Sequence, residues 1–279
     1  MLEEFEEYLK NHNLSANTIT SYSFALKQYL KNYNTVTRKN LKQYKLWLIE
    51  TYKPETVNLR IRAINCYLES INKVNMKIPP VKIQHKNFLE NVISEADYIY
   101  FKNCLKSDDE MLWYFVIRFL AATGARISEL LQIKVEHINI GYLDLYSKGG
   151  KLRRIYFPEK LCMEMLSWLE MQGKDSGFIF VNRRGQQITP RGISWQLKVL
   201  AKRYRIPVET IYPHSFRHRF AKNFLSKFND ISLLADLMGH ESIDITYRYA
   251  HLFPSEQIQM AEQLDIERME KSNGEKSGQ

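Results

Sequence analysis

Residues 142–157 read Tyr142-Leu143-Asp144-Leu145-Tyr146, then Ser147-Lys148-Gly149-Gly150-Lys151, then Leu152-Arg153-Arg154-Ile155-Tyr156-Phe157. The first five residues alternate in polarity, and Arg154-Ile155-Tyr156-Phe157 is rich in β-branched and aromatic side chains. Between them lies a basic turn with two glycines, so two short strands joined as a hairpin with lysines at its tip are predicted. On both sides the pattern is helical. Upstream, Met111 to Ala122 is the longest apolar stretch; Arg118 interrupts it and it is too short to cross a bilayer, so it reads as a buried helix. Ser94 followed by Asp97 resembles a capping box and opens another helix near Glu95. The fold class expected is mainly α with a small β-sheet (α+β).

Further outward, the first eighty residues read as a separate helical unit. Ile19, Tyr22, Leu26, Tyr29 and Tyr33 follow helical spacing after an N-cap at Ser15 or Asn17, and a second helix is expected from about Asn40 to Tyr52. In a third, Val57, Ile61, Ile64, Leu68 and Ile71 mark one apolar face while Arg60 and Arg62 point elsewhere. The stretch from Asn72 to Asn87, with Pro79-Pro80, cannot propagate a helix. The expected division is therefore 1–78 for the helical unit, 79–93 for a linker, 94–270 for the larger domain and 271–279 for a frayed tail. Ser255 to Met269, after Pro254, reads as a terminal helix.

Composition narrows the partners. The chain has 279 residues, 44% hydrophobic and 25% charged, which excludes a disordered or fibrous protein. Acids at Glu3, Glu4, Glu6 and Glu7 stand where a secretory signal would be basic and then apolar. Cys66, Cys104 and Cys162 lie far apart without metal-ligand spacing, so neither a disulfide framework nor a zinc site is expected, and a reducing cytoplasm is the default location. Net charge is +9, which favours a polyanion. Lys10 to Arg62 holds ten Lys or Arg against Glu50 and Glu55; Asn182 to Lys222 holds ten against Glu209 alone. Two basic stretches suit a duplex gripped from two sides, and on charge alone they equally suit solvated helix faces.

Four segments carry groups that handle phosphate. In Thr123-Gly124-Ala125-Arg126-Ile127-Ser128-Glu129-Leu130, a glycine turn precedes Arg126 and Glu129 at i, i+3 of a new helix; taken alone, a surface ion pair is the commoner reading. Lys148 sits at the hairpin tip, where most lysines are simply solvated. In Tyr212-Pro213-His214-Ser215-Phe216-Arg217-His218-Arg219, His214 and Arg217 share a face after a proline start, an imidazole and guanidinium pair suited to phosphoryl transfer. Gly239-His240 is followed nine residues after the histidine by Tyr249. One tyrosine among seventeen is ordinarily a packing residue.

Together, in this order and spacing, TGxRxxEL, a hairpin lysine, HSFRHRFA and GHxxxxxTxxYxH resemble the tyrosine recombinase family, of phage-integrase and Xer type, over nearly the whole chain. LSANTITSYSFALKQYL resembles the opening of that family's core-binding domain. The resemblance implies an amino-terminal core-binding (SAM-like) domain, a carboxy-terminal catalytic domain, and a compact form without an arm-binding domain. It implies that Arg126 and Arg217 hold the scissile phosphate, that His214 accepts or orients a proton near the nucleophile, and that His240 hydrogen-bonds the phosphate. Lys148 would protonate the leaving 5′ oxygen, Glu129 would orient Arg126, and Tyr249 would form a 3′-phosphotyrosine. Family spacing selects Tyr249 over Tyr247; helix geometry alone leaves that open.

The activity so implied is site-specific recombination through a Holliday junction, in integration, excision or resolution, by a homotetramer on paired double-stranded DNA core sites. No cofactor, metal, ATP or membrane is expected. Arg60, Arg62, Lys151, Arg191 and Arg219 are further candidates for DNA contact, with Arg219 equally readable as solvated. His218 and His251 read as packing or tuning residues. The alternatives are a type IB-like topoisomerase and a catalytically silent DNA-binding protein.

Overall fold

The computed structural model describes residues 1–83, 91–146, 152–240 and 242–250. The chain divides into two units, Met1–His85 and Lys86–Gln279. The amino-terminal unit contains α1 (Leu2–Asn11), α2 (Ala16–Asn32), α3 (Arg38–Thr51) and α4 (Pro54–Ser70). Ser15 caps α2 by accepting from the Thr18 amide at 3.2 Å, Thr37 caps α3, and Pro54 opens α4 where its missing N–H costs nothing. The sequence pattern did not reveal α1; its acids occupy the favourable first turn, and Phe5 and Leu9, one turn apart, are buried with Leu26, Tyr29, Tyr44, Ile61 and Leu68.

The chain after α4 stays attached to this unit beyond residue 78. The Asn65 side chain accepts from the Ile78 amide at 2.8 Å and donates to its carbonyl at 2.9 Å. Asn58 treats Val81 in the same way, at 2.8 and 2.9 Å. A side-chain amide has the donor and acceptor of a peptide group, so these two residues act as stand-in strand partners for an extended segment whose prolines, Pro79 and Pro80, lack the amide to pair otherwise.

The second unit contains α5 (Glu95–Ser107), α6 (Met111–Thr123), α7 (Ile127–Leu130), α8 (Val135–Ile140), β1 (Tyr142–Tyr146), β2 (Leu152–Tyr156), α9 (Glu159–Met171), α10 (Pro190–Arg203), α11 (Pro213–Phe228), α12 (Ile231–Met238) and α13 (Ile243–Ala250). Helix α6 is apolar nearly all round and is the core element, with Phe115, Val116, Ile117, Phe119 and Leu120 fully buried. Its one charge, Arg118, reaches Glu164 of α9 at 2.8 Å. The two strands pair antiparallel from Tyr142 opposite Tyr156 to Tyr146 opposite Leu152. The second strand thus starts two residues earlier than expected. The turn with Lys148 and Lys151, the terminal helix expected at Ser255 to Met269, and the tail lie outside the described residues. No helix among the described residues is long and apolar enough to cross a membrane.

Helix α11 lies against α6, and Gly124, which ends α6 with φ +63, makes the approach close. A Cβ there would stand 2.5 Å from the Phe220 ring of α11. Buried Ser215 of α11 accepts from the Ile93 amide at 2.8 Å, which fixes the entry to α5.

Candidate active site

The site is assembled at the carboxyl end of α12. The last carbonyls of a helix have no partner within it and carry the negative end of its dipole. Here three successive carbonyls are met by three arginines from three different segments. Arg153 of β2 donates to Leu237 O through Nε and Nη2, at 3.0 and 2.7 Å. Arg217 of α11 donates to Met238 O at 2.8 Å, and Arg126 donates to Gly239 O at 3.1 Å. Arg217 also reaches back to Gly124 O, tying the end of α6 to the end of α12. Gly239 is required twice over: its φ is +62, and a Cβ would stand 2.4 Å from Arg153 Cδ.

Glu129 joins two of these arginines. Arg126 occupies the N-cap position of α7 and not its interior, and Glu129 is the third residue of the helix. One carboxylate oxygen accepts from the Arg126 amide at 2.7 Å; the other accepts from Arg126 Nη1 and Arg153 Nη1, each at 2.8 Å. Burial works to raise the Glu129 pKa, but Arg153 and Arg126 outweigh it and hold the carboxyl below its ordinary range. Arg126 and Arg153 therefore share a single carboxylate, while Arg217 is held by the Gly124 and Met238 carbonyls. Arg217, 2% exposed, is pushed down to about 10, by burial first and by Arg126 next.

The histidines complete the arrangement. His240 Nε2 lies 3.0 Å from Arg217 Nη2, and its Nδ1 lies 2.7 Å from the buried Thr246 hydroxyl. Because a guanidinium can only donate, Nε2 here is the acceptor and Nδ1 carries the proton. Burial, then Arg217 and Arg126, lower its pKa to about 4, so the ring is neutral. His218 is lowered to about 4 as well, by burial, His214 and Arg217. His214 stands at the start of α11, and partial desolvation, then Arg217 and Arg126, depress its pKa.

Tyr249 and Tyr247 separate in the folded chain. Tyr249 packs on Ala221, Leu234 and Met238; its hydroxyl is 3.2 Å from His218 Nδ1, and its ring lies nearly parallel to that of His240 at 6.0 Å. Tyr247 is 49% exposed.

The structure thus brings Arg126, Glu129, Arg217, His240 and Tyr249 together, with His214 at the edge. Lys148 and Lys151 fall outside the described residues. Arg219 has partners within the fold: it forks onto Glu95 at 2.6 to 3.1 Å and lies over the Tyr98 ring, 3.8 Å from its centre, so its donors hold α11 to α5. Arg191 is exposed at the start of α10. In the other unit Arg62 is exposed, and Arg60 lies over the Phe24 ring at 4.5 Å. The sequence reading missed Arg153, the contact of Thr246 with His240 and the closeness of His218 to Tyr249. Arg153 had a signal: it shares a strand face with buried Ile155, where a charge is out of place. Thr246 and His218 stand within the quoted motifs, but their contacts had no signal in the sequence.

Three guanidiniums balanced by one carboxylate, beside neutral imidazoles and an inward phenol, form a site for an anion. Comparison with known proteins agrees. The phage integrase family profile matches residues 86–256. The tyrosine recombinase XerA of Pyrococcus furiosus is 30% identical over 266 residues, covering 90% of this chain and 89% of the relative. The crystal structure of XerA recombinase superposes with a TM-score of 0.54 at 26% identity, over 94% of this chain and 96% of that one. The Tn1549 transposon integrase, solved with transposon right end DNA, superposes with a TM-score of 0.71 over 93% and 97% of the two chains. At 17% identity that likeness shows the fold. The chain belongs to the phage integrase family of tyrosine recombinases. Its activity is the breaking and rejoining of DNA strands in site-specific recombination.

Proposed function

We propose that this chain recombines paired core sites in duplex DNA as a homotetramer, exchanging strands through a Holliday junction. Tyr249 attacks the scissile phosphorus and gives a 3′-phosphotyrosine with a free 5′ hydroxyl. Arg126 and Arg217 bind the non-bridging oxygens, and the charge that grows on them in the transition state is matched by the surplus of guanidinium over carboxylate. Lys148 protonates the departing 5′ oxygen, and His214 lines the phosphate from the first turn of α11. His240 hydrogen-bonds the phosphate once the incoming anion draws Arg217 Nη2 away from Nε2; Thr246 can then donate to Nδ1, since a hydroxyl both accepts and donates. The phosphotyrosine conserves the energy of the broken bond, so a 5′ hydroxyl from a second strand reverses the step without ATP.

The observation that carries this reading is the inward Tyr249 hydroxyl beside the arginine cluster. A nicked suicide duplex built on inverted repeats near the coding region tests it. Wild-type protein and Tyr247→Phe are expected to form an SDS-stable covalent adduct, and Tyr249→Phe none. Adduct formation by Tyr249→Phe sinks the assignment. In the same assay, adduct that grows only when four protomers assemble on two sites supports the tetramer; full turnover by monomer on a single site removes it.

A further inference from the structure

As the bond from Tyr249 to phosphorus forms, the phenolic proton has to go somewhere. Motif order assigns that proton to His214. The geometry points to a different acceptor: we infer that His218, one turn further along α11, takes the Tyr249 proton. This rests on the reading of Tyr249 as nucleophile.

His218 Nδ1 lies 3.2 Å from the Tyr249 hydroxyl, within the reach a general base needs. The two rings are 5.3 Å apart. The His214 ring is 6.1 Å from that of His218 and exposed. Tyr212 flanks His218 edge-on at 6.4 Å. The His218 ring is therefore wedged between Tyr212, His214 and Tyr249, which fixes the direction of its nitrogen. The charged and titratable groups acting on it are His214 and Arg217 of its own helix, Tyr212 before it and Tyr249 of α13.

Burial, then His214 and Arg217, keep the ring neutral without DNA, and in the tautomer with its proton on Nε2 the lone pair at Nδ1 faces the phenol. A phosphodiester seated on Arg126 and Arg217 cancels part of the positive field, and the imidazole becomes more basic as attack begins. The step balances within the groups named. The Tyr249 O–H bond breaks and its proton passes to His218 Nδ1, while an oxygen lone pair forms the new bond to phosphorus. The electron pair of the P–O5′ bond leaves with the 5′ oxygen, which takes a proton from Lys148. Rejoining runs the same transfers backwards, with His218 returning the proton to the phenol. His214 is then free to bind phosphate.

The test measures single-turnover adduct formation on the nicked suicide duplex from pH 5.5 to 9. It compares wild type, His218→Ala, His218→Gln, His214→Gln and Tyr249→Phe, with each melting curve checked. Both His218 variants are expected to slow by roughly a hundredfold. The deciding readout is difluorotyrosine at position 249, whose more acidic phenol needs less help. It should accelerate the His218 variants by about tenfold or more, flatten their pH dependence, and change wild type by no more than about twofold. A residue that only supports the fold gives no such rescue. Adduct formation by both His218 variants within about threefold of wild type, with Tyr249→Phe inert, overturns the inference and leaves the recombinase reading standing. Rescue of His214→Gln but not of the His218 variants moves the proton to His214 and overturns it likewise. No adduct from wild type overturns both readings.

Discussion

In the amino-terminal unit the asparagines of α4 close on the backbone of residues 78 and 81, amide against peptide. In the second unit the side chains kept from water include Glu129 and Arg217, both charged, and the arginines around them outnumber the carboxylates. Neutral amide pairs cancel each other's needs and look for nothing further. A buried ion costs several kcal/mol to desolvate, and with Arg126 and Arg153 on one carboxylate and Arg217 on carbonyls alone, part of that cost is left unrecovered. The difference separates a region built to hold a shape from one held ready for an external anion, which in this family is a DNA phosphate.

Arg217→Ala should lower single-turnover cleavage by about a thousandfold or more, and Arg217→Lys should recover little of it, because one ammonium nitrogen cannot span the Gly124 and Met238 oxygens, which Arg217 reaches through Nη1 and Nη2, and a phosphate as well. An Arg217→Ala protein that cleaves within tenfold of wild type would mean that the charge surplus has no part in the chemistry. Next in size is Glu129→Gln. Removing the shared carboxylate leaves Arg153 and Arg126 facing one another, and urea unfolding should show a loss of about 3 kcal/mol. Asn58→Ala removes both bonds to Val81 and should cost about 2 kcal/mol while leaving the pH profile of cleavage unaltered. A changed profile would show that the two units are not separable in this way.

A further effect is in acid stability. His218 and His240 are neutral in the folded chain, with pKa about 4 against about 6.5 when unfolded. The unfolded chain therefore binds protons first as pH falls. Their contribution to stability is complete above pH 6.5 and is lost progressively down to about pH 4. Thermal melts should fall across that window in wild type and less steeply in His240→Gln. A curve with the same slope in both would place the titrating groups elsewhere.

Much of this was legible in the chain. The N-caps at Ser15 and Ser94 and the apolar face of α4 fall where the sequence pattern places them, because capping and helical periodicity act over a few residues. The two strands and their partners were readable from period and turn alone, within two residues. Helix α1 escaped because its acids were read only for what they exclude. The placement of Arg126 and Glu129 within one helix was slightly off: Arg126 stands before α7, and that position lets Glu129 hold its amide as well as its guanidinium. Arg219 could not be settled from its neighbours, since Glu95 lies more than a hundred residues away.

By itself the sequence determined which segments fold, where they start, and that Arg126, Arg217, His240 and Tyr249 belong to one ordered set. Those properties depend on local backbone chemistry or on the order of residues along the chain. The tertiary structure alone decided that Arg153 is the third guanidinium on the end of α12, that Tyr249 points inward while Tyr247 faces solvent, and that His218 is the imidazole beside the phenol. Each is a distance of a few ångströms between groups on separate elements, set by how α6, α11, α12 and β2 pack, and no local pattern encodes such a distance.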